Sequence, residues 1–453
     1  MLIKDKIYID LDAEPQPVLA EMLDKLKYPN PDYYQKMNMG LSVWGLPKTI
    51  ETYRQNGRKI EVLRGEYYKI APYIHSRLKT SHPTLEPTGI QYINNDFDLD
   101  EFQENAVKAI LSKKQGIIHA VTSAGKSLII IKSICERNLP ALIIVHRKLL
   151  MKQILEDIEK YVRDKNGNTI TPGIIGNGKL SFGPITIAID KSASKNISLI
   201  REKFGVLFLD ECHIVPSTTI RDTVNAINSE YRFGVSGTLR RKDQKEFLIF
   251  STFGRVIYTI TKEQLLDLKR IVPVELKIIE SETQFDYDGA IELLGMTGAY
   301  QLMEKTVSLD PGRNEMILEL LKDLPGKTMV LSKLVKPCYY LQKRLKERFS
   351  LESGVITGKN TKEAEESYSA MKFEGLRIIF ATIGCVSTGI SISDLDNIIL
   401  ISPLYTNELL LHQIRGRLMR KAKGKEKGTM YYVYDKNIFP VYKLNKFIKI
   451  MEL

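Results

Sequence analysis

The sequence is poor in the features that mark a secreted, membrane-anchored or metal-stapled protein. Its four cysteines, Cys135, Cys212, Cys338 and Cys385, lie far apart and form no C-x-x-C pair. That removes the simplest zinc half-site and dithiol redox centre and fits a reducing compartment. No apolar run approaches the ~18 residues that span a bilayer. The opening Met1-Leu-Ile-Lys-Asp-Lys6 carries an acid and leads into no apolar stretch, unlike a secretory signal. Short-period repeats and low-complexity tails are missing too. The expectation is a soluble, cytoplasmic chain with no membrane contact and no metal held by cysteine.

What is present is ordinary globular composition, with 43% apolar and 26% charged residues, which excludes wholesale disorder, a collagen-like repeat and a coiled-coil rod. At 453 residues the chain is long enough for about three folding units. Lys and Arg number 66 against 54 Asp and Glu, a net charge of +12. Such an excess favours a polyanionic partner, because Lys and Arg that neutralise phosphates release condensed counterions.

Up to residue 95 the sequence is rich in Tyr and Lys and broken by Pro and Gly, as in Pro29-Asn-Pro31-Asp-Tyr33-Tyr34 and Trp44-Gly-Leu-Pro47. It reads as a small α+β accessory domain, and the turn formers from His82-Pro83 to Asn94-Asn-Asp96 mark its end. Residues 96–270 then alternate helical stretches with continuous apolar runs at 116–120, 141–145, 185–188 and 206–209. A second series at 329–332, 354–357, 377–380, 397–401 and 430–434 falls in residues 271–453, with 281–325 expected to bridge the two. Continuous apolar runs of strand length between helices are the sequence form of a parallel sheet covered on both faces. The fold class expected is therefore α/β, with two tandem parallel-sheet domains behind the small accessory domain.

Three groups of residues carry chemistry. Ala120-Val-Thr122-Ser-Ala-Gly125-Lys126-Ser127 follows a predicted strand and opens a predicted helix, the setting in which backbone amides cradle phosphates, Lys126 reaches them and Ser127 ligates Mg²⁺. Asp210-Glu211-Cys212-His213 ends the apolar run 206–209, where an Asp can hold Mg²⁺ and a Glu can orient an attacking water. Gln413-Ile-Arg415-Gly416-Arg417-Leu-Met-Arg420 reads as helical, with Arg417 and Arg420 three apart on one face. The bland readings are a chance loop, a solvated acidic turn and a solvated basic helix.

Together these residues resemble a superfamily 2 helicase. Residues 120–127 look like its motif I in the A-x-T-x-x-G-K-S form, and Asp210 to His213 like a DECH version of motif II. Val235-Ser236-Gly237-Thr238 stands at motif III, Val145 to Gln153 at motif Ia, Ile187 to Ser192 at motif Ib, Ala381 to Ile390 at motif V and Gln413 to Arg420 at motif VI. Phe102-Gln103 resembles the adenine-contacting glutamine. The motifs occur in the family's order over residues 100 to 425. The DECH box and the Arg313-Asn314 pair are similar to those of the phage UvsW-type, Rad25/XPB-type and restriction-type translocases. The compact N-terminal domain is most similar to the UvsW type, whose branched-DNA activity is akin to that of RecG.

The resemblance implies two RecA-like domains that use ATP and Mg²⁺. Nucleotide would be held by Gln103, Thr122, Ser123, Ala124, Gly125, Lys126, Ser127 and Gly389, with Mg²⁺ on Ser127 and Asp210. Lys126, Asp210, Glu211, Gln413, Arg417 and Arg420 would be catalytic. His213, Ser236 and Thr238 would couple nucleotide state to strand-contacting loops, against the alternative of a satisfied histidine and an ordinary turn. Arg147, Lys148, Lys191, Thr382 and Ser387 would contact DNA, forked or branched, alongside some of the eleven Lys and Arg of residues 415–449. A monomer is expected, in a host cytoplasm if the chain is phage-encoded. Trp44, Tyr33, Tyr34, Tyr67 and Tyr68 stack on bases or, the favoured reading, pack in the core. An RNA helicase and a restriction-type duplex translocase share every motif. A nucleotide-gated binding protein without turnover stays open as well, although it would not need Glu211, Arg417 and Arg420 together.

Overall fold

The computed structural model describes the chain except residues 13, 75–77, 94–98, 122, 359–360, 387–393, 404–407, 423 and 453, and the side chains of 149, 361, 386, 409 and 452. It divides into two compact units, Met1–Thr261 and Lys262–Leu453.

In the first unit the apolar runs become the strands Gln115–Ala120, Ala141–Val145, Ile185–Ile189 and Val206–Asp210. They belong to an eight-stranded sheet in the order 179–180, 173–176, 185–189, 141–145, 206–210, 231–236, 115–120, 256–260. All neighbours run parallel except the hairpin formed by 173–176 and 179–180. Every residue of Ala141–Val145 and Val206–Asp210 is buried, as expected for strands covered on both faces. Because the strands are parallel, Ala120, Val145, Ile189, Asp210 and Ser236 all end on one edge of the sheet, the edge where open α/β sheets bind ligands.

The N-terminal residues form a five-stranded sheet in the order 53–56, 59–62, 7–10, 2–3, 79–80. Its core holds Ile7, Ile9, Leu19, Met22, Ile60 and Val62. Two buried arginines fasten this sheet to the parallel one. Arg64 donates to the carbonyls of Lys4, Ser229 and Glu230 and to Gln115 Oε1, while Gln115 Nε2 donates back to the Arg64 carbonyl at 2.9 Å. Arg232, fully buried, donates to the Asp5 carbonyl at 3.0 Å, the Ile227 carbonyl at 2.8 Å and Asn225 Oδ1 at 3.0 Å. Burial holds the Arg64 guanidinium down at about 10 and Arg232 well below its ordinary value. Carbonyl oxygens around each fork offset part of the cost of burying a charge. Glu66, 2% exposed, accepts from Ser251 Oγ across the same boundary and from Tyr28 Oη on its own side.

The second unit carries a six-stranded sheet in the order 274–281, 428–435, 395–400, 327–332, 378–382, 353–356, parallel throughout. The segment expected to bridge two domains is instead largely helical, Tyr287–Val307 and Pro311–Asp323. Ile317, Leu318 and Leu321 place an apolar stripe of the second helix in the core beside Val330, Phe380 and Val433. Among the described residues no helix is long and apolar enough to cross a membrane.

Arg313, singled out in the sequence, lies inside this unit. Its Nε meets Asp435 Oδ1 at 2.7 Å and its Nη2 donates to the Ile401 carbonyl at 2.7 Å, with both side chains of the pair fully buried. Removing one partner of such a pair strands the other charge in the core and costs about 3–5 kcal/mol. Arg313→Ala is therefore expected to lower the urea midpoint of the second unit sharply. A midpoint unchanged within error would mean that the pair contributes nothing to stability.

Candidate active site

The phosphate loop is built by the turn between strand Gln115–Ala120 and helix Lys126–Arg137. Ser123 at φ 73° and Gly125 at φ 74° are both left-handed, a geometry that turns successive amides toward a shared concavity. Gly125 is required twice over, since a Cβ there would lie 2.2 Å from Gln103 Nε2. Gln103 belongs to helix Glu101–Leu111, where it completes a capping box with Asp100. Its Oε1 accepts from Asp100 N at 2.9 Å and its Nε2 donates to the Ala124 carbonyl at 3.0 Å. The residue expected at adenine thus braces the loop, with both ends of its amide on backbone. Thr122 lies outside the described residues.

Facing the loop is the end of strand Val206–Asp210. Glu211 adopts φ 57°, a left-handed position that costs a non-glycine residue on the order of 1–3 kcal/mol. Its Oε1 receives Lys126 Nζ at 3.0 Å. Asp210, 6% exposed, accepts from Glu211 N at 3.0 Å. Burial, reinforced by the Glu211 charge, pushes the Asp210 carboxyl up to about 6. Burial would raise Glu211 as well, but the Lys126 ammonium and His213 outweigh it and hold that carboxyl far below its usual value.

The residues expected to couple nucleotide to strand converge here. His213 Nδ1 lies 3.0 Å from Ser236 Oγ and 3.2 Å from Glu211 Oε2. Ser236 Oγ lies 2.8 Å from the Thr238 carbonyl and 3.3 Å from Glu211 Oε2. The fully buried Ser236 and the 8% exposed His213 therefore join the acid box to the neighbouring strand end. Arg241, not singled out in the sequence, donates to the His213 carbonyl and grips Asp243 with two bonds of 2.8 and 2.6 Å. Asp157 was missed too. It hydrogen-bonds Ser127, and burial raises its carboxyl to about 6. An acid beside the buried Ile154 and Ile158 of helix Lys148–Tyr161 is the only signal the sequence held for it.

Arg147 caps and Lys148 begins that helix, and Lys191 lies exposed on helix Asp190–Lys195. The preceding strands pair in register, Val145 opposite Ile189, so these cations leave adjacent strand ends. His146 Nδ1 meets Asp190 Oδ2 at 2.6 Å and ties the two segments together, a link that spacing alone does not reveal.

In the second unit, Gln413 and Arg417 share helix Glu408–Leu418, four residues apart. Arg420 lies beyond the helix end and bridges Ile271, so the one-face argument made for Arg417 and Arg420 does not hold. Thr382 ends strand Ile378–Thr382, 8% exposed, with its hydroxyl donating to Cys385 Sγ at 3.1 Å. Ser387 and Gly389 lie outside the described residues. Of the aromatics, Trp44 is 95% exposed and Tyr34 and Tyr68 39% each. Core packing therefore fails for Trp44, whereas Tyr67 lies against the accessory core.

Residues 96–241 match the family described as type III restriction enzyme, res subunit, and residues 312–422 match the helicase conserved C-terminal domain. The chain is 26% identical over 400 residues to the DNA 3'-5' translocase XPB2 of Sulfurisphaera tokodaii, covering 80% of this chain and 89% of that protein. It is 25% identical over 346 residues to the ATP-dependent DNA helicase uvsW of Enterobacteria phage T4, covering 74% and 68%. Among solved structures, S. cerevisiae Dbp5 bound to RNA and ADP BeF3 matches with a TM-score of 0.56 at 13% identity over 78% of this chain and 86% of that one, a likeness of fold.

Proposed function

This chain is a superfamily 2 helicase, and we propose that it is an ATP-driven translocase that remodels or branch-migrates branched DNA, forks and Holliday junctions, in replication, recombination or repair. The observation that carries the motor reading is the contact of Lys126 with Glu211 at one sheet edge, with His213 and Ser236 directly behind. DNA as the track is supported by XPB2 and uvsW, both named as DNA motors. The protein acts as a monomer in the cytoplasm, that of a host if it is phage-encoded.

The Lys126 ammonium is held by Glu211 at 3.0 Å. Phosphates entering the loop draw Lys126 away and free the Glu211 carboxylate to orient water for in-line attack. The change in Glu211 is felt by His213 and Ser236, both within 3.3 Å of its Oε2. No cluster of three His, Cys, Asp or Glu able to hold a metal occurs among the described residues. Ser127 and Asp210 fit Mg²⁺ only as partial oxygen ligands beside phosphate and water, which is the usual arrangement for this ion. Mg²⁺ so held would neutralise phosphate charge. Arg417 and Arg420 are assigned to the transferring phosphoryl group and Gln413 to its γ-phosphate.

Steady-state ATP hydrolysis, measured alone and with single-stranded DNA, linear duplex, four-way junction and RNA, tests the reading. Preferential stimulation by the junction is the expected result. Stimulation mainly by RNA would move the chain to an RNA helicase, stimulation mainly by linear duplex to a restriction-type translocase, and no turnover at all to a nucleotide-gated binding protein.

A further inference from the structure

One apolar feature of the first unit has no part in the nucleotide site. The turn from Met39 to Pro47 carries Trp44 at 95% exposure, Met39 at 65% and Leu41 at 55%. Large apolar side chains so open and so close together mark an interaction site. The turn is nevertheless held in shape. Asn30, 4% exposed, closes its base, donating its backbone N to the Lys48 carbonyl at 2.9 Å and its Nδ2 to the Pro47 carbonyl at 2.8 Å. Leu46 N donates to the Val43 carbonyl at 3.0 Å, and Gly45 at φ 76° completes a tight turn with Trp44 at its corner.

Its charge selects the partner. From Tyr33 to Lys48 the chain holds Lys36 and Lys48, both exposed, and no acid. Asp32, just before, is engaged by Lys245 at 2.6 Å. That pair ties helix Pro31–Asn38 to the segment whose Arg241 donates to the His213 carbonyl, so the turn belongs to the same body as the phosphate loop. An open indole flanked by cations suits unpaired bases, whose faces it can stack on while lysines meet the adjoining phosphates. A duplex keeps its base faces covered by its own stacking.

We propose that the Trp44 turn is a base-stacking contact for an unpaired strand, with Lys36 and Lys48 on the flanking phosphates. This rests on the reading of the chain as a nucleic-acid motor. Trp44 is the sole tryptophan of the sequence, so tryptophan emission of the intact protein reports on this turn alone. Oligothymidylate is expected to quench that emission over the same concentrations that stimulate ATP hydrolysis, and an abasic strand of equal length to leave it unchanged. Trp44→Ala should raise the half-saturating concentration of oligothymidylate about tenfold, in the range of one lost stacked base, and Trp44→Phe should restore most of it. Stimulated hydrolysis with unchanged emission, or equal quenching by the abasic strand, overturns the stacking contact and leaves the motor reading intact. Absence of any nucleic-acid binding or stimulation would bring down both.

Discussion

Lys126→Ala is expected to stop ATP turnover while leaving nucleic-acid binding in place. The ammonium lies against the acid box, 3.0 Å from Glu211 Oε1 and with its side chain only 16% exposed. Alanine removes the charge that would follow the β- and γ-phosphates, and fixed donors of this kind are worth on the order of 10²–10³ in rate each. Loss at or beyond that range, with a DNA-binding isotherm like that of the parent, is the predicted outcome. Turnover near the parent value would show that phosphate is held elsewhere.

Glu211→Gln separates binding from chemistry. The amide keeps the shape of the side chain and an oxygen that Lys126 can still donate to, so ATP affinity should persist. A glutamine cannot take up a proton from water, and removing a general base costs typically 10²–10⁴-fold. A reduced kcat with nucleotide still bound, read by single-turnover hydrolysis beside equilibrium nucleotide binding, is expected. An unchanged kcat would remove Glu211 from the water-orienting role.

The parallel sheets were legible because buried parallel strands are continuous apolar runs. Ala141–Val145 is observed with the bounds read from the sequence, and Ile185–Ile189 and Val206–Asp210 gain one residue each. The edge strand Val256–Ile260 and the alternating strand Val274–Ser281 escaped notice, being only partly buried and without that signature. In the site, Lys126, Asp210 and Glu211 could be listed from the residues and their setting, and His213 and Ser236 from the family resemblance, yet not the left-handed Glu211 backbone or the Lys126 pair, which depend on strands far apart in sequence. Gln103 could be named from its motif, but not its two bonds to the Asp100 amide and the Ala124 carbonyl, which join a helix to a loop some twenty residues on. Arg64 and Arg232 gave no signal, because a buried arginine and a solvated one look alike in sequence.

Those two arginines bear on how the molecule can be taken apart. Arg232 is the second residue of the strand that ends at Ser236, and Gln115, which clasps Arg64, begins the strand that ends at the phosphate loop. The accessory sheet thus grips the feet of the strands whose tips carry the chemistry, like a handle fixed to the blades. Cutting it away at residue 95 would leave Arg232 without the Asp5 carbonyl and Gln115 without Arg64. A truncated protein that lost junction preference would therefore have lost its grip on the motor at the same stroke, and the two effects part company only in single substitutions made on the intact chain.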